Sequence, residues 1–229
     1  MTPNNPTDLK TLQRTWDTFG KSDPMFAILY DLEKRRGKWD LQEFFESGCL
    51  EIQDIVDYLQ TLAVSMPNET CLDFGCGMGR LTQAMAGHFG KSVGVDIAPS
   101  MIELAREHNT QGERCEFILN DVDNLEIFDD GSFDFVYSNK VLQHMKPEYS
   151  SRYLKEFLRV LKPGGVTVFQ LPSEKSKIGE TRSILTAIRD TVRRTIPTPI
   201  LELYRSKRYG SSAIMDMYCV SWEQVERIV

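Results

Sequence analysis

The sequence predicts an α/β protein of three layers, with a mostly parallel Rossmann-like sheet and helices on both faces. Three observations carry this. Between residues 70 and 171, short apolar runs of strand length alternate with stretches of helical periodicity, the pattern of βαβ units. The first run ends in Leu72-Asp73-Phe74-Gly75-Cys76-Gly77-Met78-Gly79, an acid and then a glycine at every second position, and a helical pattern follows. Asp73, Asp96, Asp121 and Ser138 fall at the carboxyl ends of successive runs, where open α/β sheets hold ligands.

Taken in order, residues 1–8 read as a polar lead, and Thr7 or Asp8 caps a helix carrying Leu9, Leu12, Trp16 and Phe19 that Gly20 is placed to stop. Asp23-Pro24 opens another helical turn. From Asp40 to Ala63 apolar residues recur at helical spacing, with a break expected at Gly48. Strands are expected at Thr70–Phe74, Lys91–Ile97, Glu116–Leu119, Phe133–Ser138 and Val166–Leu171. Helices are expected at Met78–Phe89, Pro99–His108 and Tyr149–Leu161, the last closed by Lys162-Pro163-Gly164-Gly165. Met215–Val220 reads as a further strand, and Ser221 caps a final helical pattern of Trp222, Val225 and Ile228. This gives a helical lid over residues 1–66, a ligand-binding core over 67–172, a cap insert over 173–214 and the start of a C-terminal part of the core over 215–229.

The insert has a character of its own. Residues 173–209 carry nine bases against four acids in a chain of net charge −6. Ile184, Ile188, Val192 and Ile196 form one apolar helical stripe within it. Arg193, Arg194, Arg205, Lys207 and Arg208 suit an acidic or phosphorylated substrate, or an acidic partner. A solvated basic face on a cap helix is the plainer alternative.

The overall acidity argues against general nucleic-acid binding. The five cysteines are irregularly spaced and include no CxxC pair, so neither a disulfide framework nor a metal site is expected. Reduced thiols and a cytoplasmic location follow from that reading. The first residues have no apolar core of a signal peptide, and no run reaches the length of a membrane span.

The acids and glycines point to a ligand. Asp96 follows Gly75 by 21 residues at the end of the next strand, a position that accepts ribose hydroxyls. A dinucleotide loop spaces its glycines G-x-G-x-x-G and holds a pyrophosphate. Here the spacing is Gly75-x-Gly77-x-Gly79, and Asp73 precedes the loop, where it would repel a pyrophosphate and attract an ammonium group. S-adenosylmethionine has a ribose, an adenine and an amino-acid tail, and no phosphate. It fits these acids better than a nicotinamide cofactor does, which disfavours an oxidoreductase.

Residues 70–172 resemble the class I S-adenosylmethionine-dependent methyltransferases of the small-molecule type. The resemblance rests on five motifs in order: Leu72–Gly79; Val93-Gly94-Val95-Asp96-Ile97-Ala98-Pro99-Ser100-Met101-Ile102; Asn120-Asp121-Val122; Phe133–Ser138 with Val141-Leu142-Gln143-His144; and Leu158-Arg159-Val160-Leu161-Lys162-Pro163-Gly164-Gly165. It implies that Asp73 and the backbone of Gly75 and Gly77 hold the methionine portion, with Cys76 a small filler of the same loop. Asp96 would hold the ribose and Ile97 would pack on the adenine. Asp121 would accept from the adenine amino group with Val122 alongside, and the backbone of Ser138 and Asn139 would lie near the amino-acid tail. His144 is the candidate general base, or else a packing and hydrogen-bonding residue. The N-terminal stretch resembles a helical lid seen before this domain in some bacterial relatives; in it Tyr30, Trp39, Phe44 and Phe45 are placed to cage a substrate, to roof the cofactor or to pack the lid helices against the core. The family sheet has seven strands, and the last two would follow the helix at Ser221; either they lie outside the sequence given or the sheet is completed otherwise.

The implied reaction is in-line transfer of a methyl group to an oxygen, nitrogen or carbon of a small organic acceptor. Methylation of RNA or protein docked through residues 173–209, and a non-catalytic cofactor-binding subunit, are the alternatives.

Overall fold

The computed structural model describes residues 6–64, 67–174 and 215–229. Five strands, β1 (Thr70–Phe74), β2 (Lys91–Asp96), β3 (Cys115–Leu119), β4 (Phe133–Ser138) and β5 (Leu161–Phe169), form one sheet in the order β3-β2-β1-β4-β5. Every pairing is parallel. The chain runs outward from β1 to β3 and then returns to the other side of β1, so the order reverses between β1 and β4. That reversal opens a crevice at the carboxyl ends of these two strands.

Helices α3 (Leu41–Thr61) and α4 (Arg80–Met85) cover one face, where Ile52, Leu59, Leu81 and Met85 pack on Cys71, Phe135 and Tyr137. Helix α5 (Pro99–Glu107) packs Ile102 and Ala105 against Cys115 and Phe117. Helix α6 (Pro147–Val160) covers the other face through Tyr149, Tyr153, Leu154 and Phe157, joined by Val225 of α7 (Trp222–Glu226). Ser221 starts α7 with a reciprocal capping box to Gln224, as its sequence predicts. Helices α1 (Pro6–Ser22) and α2 (Pro24–Leu29) lie over the carboxyl ends of the strands. Phe44 is fully buried among Trp16, Phe19, Trp39 and Phe45, so most of the lid aromatics pack the lid itself, whereas Tyr30 is exposed.

Two expected helix breaks are helix contacts instead. Gly20 lies inside α1, where a Cβ would stand 2.2 Å from Ser100 Oγ. Gly48 lies inside an unbroken α3, where a Cβ would stand 2.6 Å from the carbonyl of Arg80. Each glycine lets two helices touch, a tertiary demand that overrides its poor helix propensity. Gly48→Ala is therefore expected to lower stability by about 1–3 kcal/mol in urea unfolding, although alanine favours an isolated helix.

Two further expectations need correction. The strand β5 begins five residues earlier than Val166, because a bulge takes up Lys162–Gly165: Phe133 pairs with Leu161 and Phe135 with Val166. Residues 215–220 form no strand. They are held by single bonds, Tyr218 N–H to the Gln143 carbonyl (2.7 Å) and Val220 N–H to the Pro172 carbonyl (3.0 Å). The basic cap with Arg193, Arg194, Arg205, Lys207 and Arg208 lies outside the described residues. No helix among the described residues is long and apolar enough to cross a membrane.

Candidate functional site

A cavity of about 760 Å³, counting solvent at its mouth, opens at the carboxyl ends of β1, β2, β3 and β4. Its floor is Gly75 and Gly77, both at positive φ (+80° and +52°). The N–H groups of Gly75 and Cys76 both donate to the Val95 carbonyl, which straps the loop to the end of β2 (2.8 and 3.0 Å). A Cβ on Gly75 would stand 2.3 Å from a Val141 methyl group, so only bare backbone fits between the two strand ends.

Asp96 and Ile97 form the next wall. The Asp96 carboxylate accepts from the N–H of Gly77 (2.9 Å) and of Ala98 (2.8 Å), one on each oxygen. Burial raises its pKa above the ordinary carboxylate value, and the two N–H groups oppose that. The carboxylate is thereby oriented, with lone pairs left to meet a ligand in the cavity.

Asp73 does not line the cavity, although Gly75 two residues on does. It is buried and accepts a 2.6 Å hydrogen bond from the Thr82 hydroxyl of α4. Burial pushes its pKa up to about 7, against the pull of Thr82 and Arg80. Its observed partner is thus the Thr82 hydroxyl, and its carboxylate stands one layer behind the glycine floor. Cys76 and Ser138 are also buried behind the lining; Ser138 donates to the Phe74 carbonyl (3.1 Å) and ties β4 to β1.

At the end of β3 the residue that lines the cavity is the neighbour of the expected one. Asp121 and Val122 are exposed and outside the lining, whereas Asn120 lines the cavity and is 4% exposed. Its Nδ2 donates to the Asn124 carbonyl (3.0 Å), and its buried Oδ1 has no hydrogen-bond partner. A buried acceptor left open at a cavity wall is costly unless a ligand donor meets it. Its position directly after β3 was the available signal.

Asn139 lines the cavity beside Lys140 and Val141. Its amide donates to Glu51 of α3 (2.6 Å), which also accepts from Tyr137 (2.9 Å) and pairs with Arg80 (2.6 Å). Burial raises the Glu51 pKa, but Arg80 and these donors outweigh it and leave it below the ordinary range. This junction ties α3 to the glycine loop and to β4. Nothing in the sequence marks it, because its members are far apart in the chain.

The lid closes the cavity from above with Leu9, Leu12 and Trp16 of α1 and Ile28 of α2. Gln13 donates to the Ile97 carbonyl (3.1 Å), and Trp16 meets the His144 ring edge-on at 5.2 Å. His144 lines the cavity, but both its nitrogens are engaged: Nε2 with the Gln143 amide (3.1 Å) and Nδ1 with the Asp216 carbonyl (2.8 Å). Burial holds its pKa below the ordinary histidine value. In this arrangement no lone pair of His144 faces an acceptor, which argues for the hydrogen-bonding role over the general base.

A family profile described as a methyltransferase domain matches residues 72–169, the stretch from β1 to β5 that builds the glycine loop and the strand-end walls. Residues 72–169 are a methyltransferase domain. The methyltransferase domain is 35% identical over 124 residues to a 2-methyl-6-phytyl-1,4-hydroquinone methyltransferase of Synechocystis sp., covering 51% of this chain and 38% of that protein. It is 31% identical over 111 residues to a ubiquinone biosynthesis O-methyltransferase of Xanthomonas campestris, covering 48% of this chain and 45% of that protein. The chain thus matches less than half the length of these curated relatives. In fold, it is similar to magnesium protoporphyrin IX methyltransferase from Synechocystis, solved with S-adenosylhomocysteine bound. There the TM-score is 0.60 at 16% identity, over 96% of this chain and 86% of that one.

Proposed function

We propose that the methyltransferase domain binds S-adenosylmethionine in the 760 Å³ cavity and transfers its methyl group to a small organic acceptor. The observation that carries this is the convergence of three complementary features on one cavity. These are the bare backbone of Gly75 and Gly77, the oriented carboxylate of Asp96, and the unpartnered acceptor of Asn120. They suit, in turn, an amino-acid tail laid along the loop, the hydroxyls of a ribose, and the amino group of an adenine packed on Ile97. When bound, the cofactor supplies a sulfonium whose methyl carbon is electrophilic. The protein's part is to hold and align: Asp96 fixes the sugar, Gln13 and Trp16 keep α1 seated over Ile97 and His144, and apolar walls from Leu12, Ile28 and Val141 limit water.

The relatives support a small acceptor, since one is named for a hydroquinone and the other for ubiquinone biosynthesis. An acidic or phosphorylated acceptor is part of the proposal. Lys140 is exposed at the cavity mouth and makes no ion pair among the described residues, and the basic segment 173–209 follows β5 in sequence. A cytoplasmic setting is also proposed, on the five cysteines standing as free thiols.

The test is a transfer assay with S-adenosylmethionine labelled on the methyl group. Matched anionic and neutral phenols, hydroquinones and amines serve as acceptors. Label moving into at least one acceptor, with S-adenosylhomocysteine formed in equal amount, is the expected result. Binding of the cofactor without transfer to any acceptor would leave a binding subunit as the better reading.

A further inference from the structure

A row of side-chain amides leads from the cavity mouth to His144. The Lys140 N–H donates to Gln170 Oε1 (3.3 Å). Gln170 Nε2 donates to Gln143 Oε1 (3.1 Å), Gln143 Nε2 meets His144 Nε2 (3.1 Å), and His144 Nδ1 meets the Asp216 carbonyl (2.8 Å). Both ends of the row are backbone groups without freedom of role, since an N–H only donates and a carbonyl only accepts. Those ends dictate every orientation between them. Gln170 must turn its oxygen to Lys140 and its NH₂ to Gln143. Gln143 must then turn its NH₂ to His144. The histidine must meet that NH₂ with a lone pair on Nε2 and carry its proton on Nδ1, facing Asp216.

The backbone holds the row in place. Lys140 sits at φ +60°, a conformation rare for a residue with a side chain, and this aims its N–H at Gln170. Gln170 N–H donates to the Ser138 carbonyl (2.9 Å), and Tyr218 N–H donates to the Gln143 carbonyl (2.7 Å).

We propose that Gln143 and Gln170 are positioning residues that hold His144 as a neutral, Nδ1-protonated ring whose one lone pair is spent on Gln143, making the histidine a fixed wall of the cavity and not the acceptor of a substrate proton. The last clause rests on the methyl-transfer reading; the protonation state does not. The ring is faced by Trp16 from α1, by Lys146 and Tyr149 from the start of α6, and by Asp216 and Tyr218, all around a second cavity; Lys140 and Asp96 line the first. Burial disfavours an imidazolium and Asp216 favours one, and the amide row adds a donor at Nε2 that only a neutral, Nδ1-protonated ring can meet.

The direct reading is ¹⁵N NMR of the full-length protein labelled on its three histidines, with His144→Asn used to assign the signals. At pH 7 and at pH 6, His144 is expected to show a protonated Nδ1 and a bare Nε2. Gln170→Glu touches nothing on His144, yet a carboxylate has no donor to offer Gln143. Gln143 must then rotate and turn its oxygen to the ring, so both ring nitrogens are expected to be protonated at pH 7. Gln143→Glu, which sets an acceptor directly at Nε2, should do the same and serves if the first variant fails to fold. A protonated Nε2 in the unaltered protein, or unchanged His144 signals in a folded variant, overturns the proposal. Neither spectrum needs turnover, so failure of the methyl-transfer reading is seen separately in the labelled-methyl assay. If that assay succeeds, an inflection of its pH–rate profile that follows the titration of His144 refutes the wall role.

Discussion

Asp96→Ala is expected to weaken S-adenosylhomocysteine binding roughly tenfold to a hundredfold, the 1.5–3 kcal/mol of hydrogen bonds to a charged group. Asp96 is the one half-buried carboxylate in the cavity wall whose two oxygens are both oriented by backbone N–H groups. The substitution also removes the acceptor that steadies the Gly77 N–H, so part of the loss comes from a looser loop. Titration calorimetry separates the two parts. The affinity should fall while the unfolding midpoint in urea moves far less, and equal affinity in the variant would mean that the ribose is held elsewhere.

The second large effect is a pH dependence of stability set by Asp73. Its folded pKa of about 7 lies above the unfolded carboxylate value near 3.8. Between those values the folded state holds a proton that the unfolded chain has released, so stability falls as pH rises. The contribution is fully present below pH 4 and is lost as pH rises through 7. Relative to Asp73→Asn, which cannot ionise, the unaltered protein should lose about 2–4 kcal/mol between pH 5 and pH 7.5. Urea unfolding of both proteins at the two pH values measures this. A flat difference would show that Asp73 is ionised throughout. An ammonium group held over Gly75 favours the ionised form, so S-adenosylmethionine and S-adenosylhomocysteine, which both carry one, should each release protons on binding near pH 7.

The five strands, their parallel pairing and the crevice at their carboxyl ends were legible because each strand is a short apolar run bounded by turn residues, and the glycine loop names its own end of the sheet. What the sequence hid is tertiary. Gly20 and Gly48 read as helix stops by propensity, yet one sits in the last turn of α1 and the other inside α3, because Ser100 or the Arg80 backbone occupies the space a Cβ would need. The displacement from Asp121 to Asn120 is one residue at the end of β3, and a shift of one residue decides whether a side chain turns into the cavity or out to solvent. Glu51 was invisible because its value lies in partners on α4 and at the end of β4 that only folding brings together. His144 was legible as a residue at the site, and its role was not. The atoms that meet its two nitrogens belong to Gln143 and to the backbone of Asp216, 72 residues away.

The cavity is proposed as a sulfonium-cofactor site and not a dinucleotide site. Calorimetric titration of the intact protein with S-adenosylhomocysteine, and separately with NAD, tests it most directly. One S-adenosylhomocysteine bound per chain and no heat from NAD are expected. No binding of S-adenosylhomocysteine, or equal binding of NAD, would contradict it.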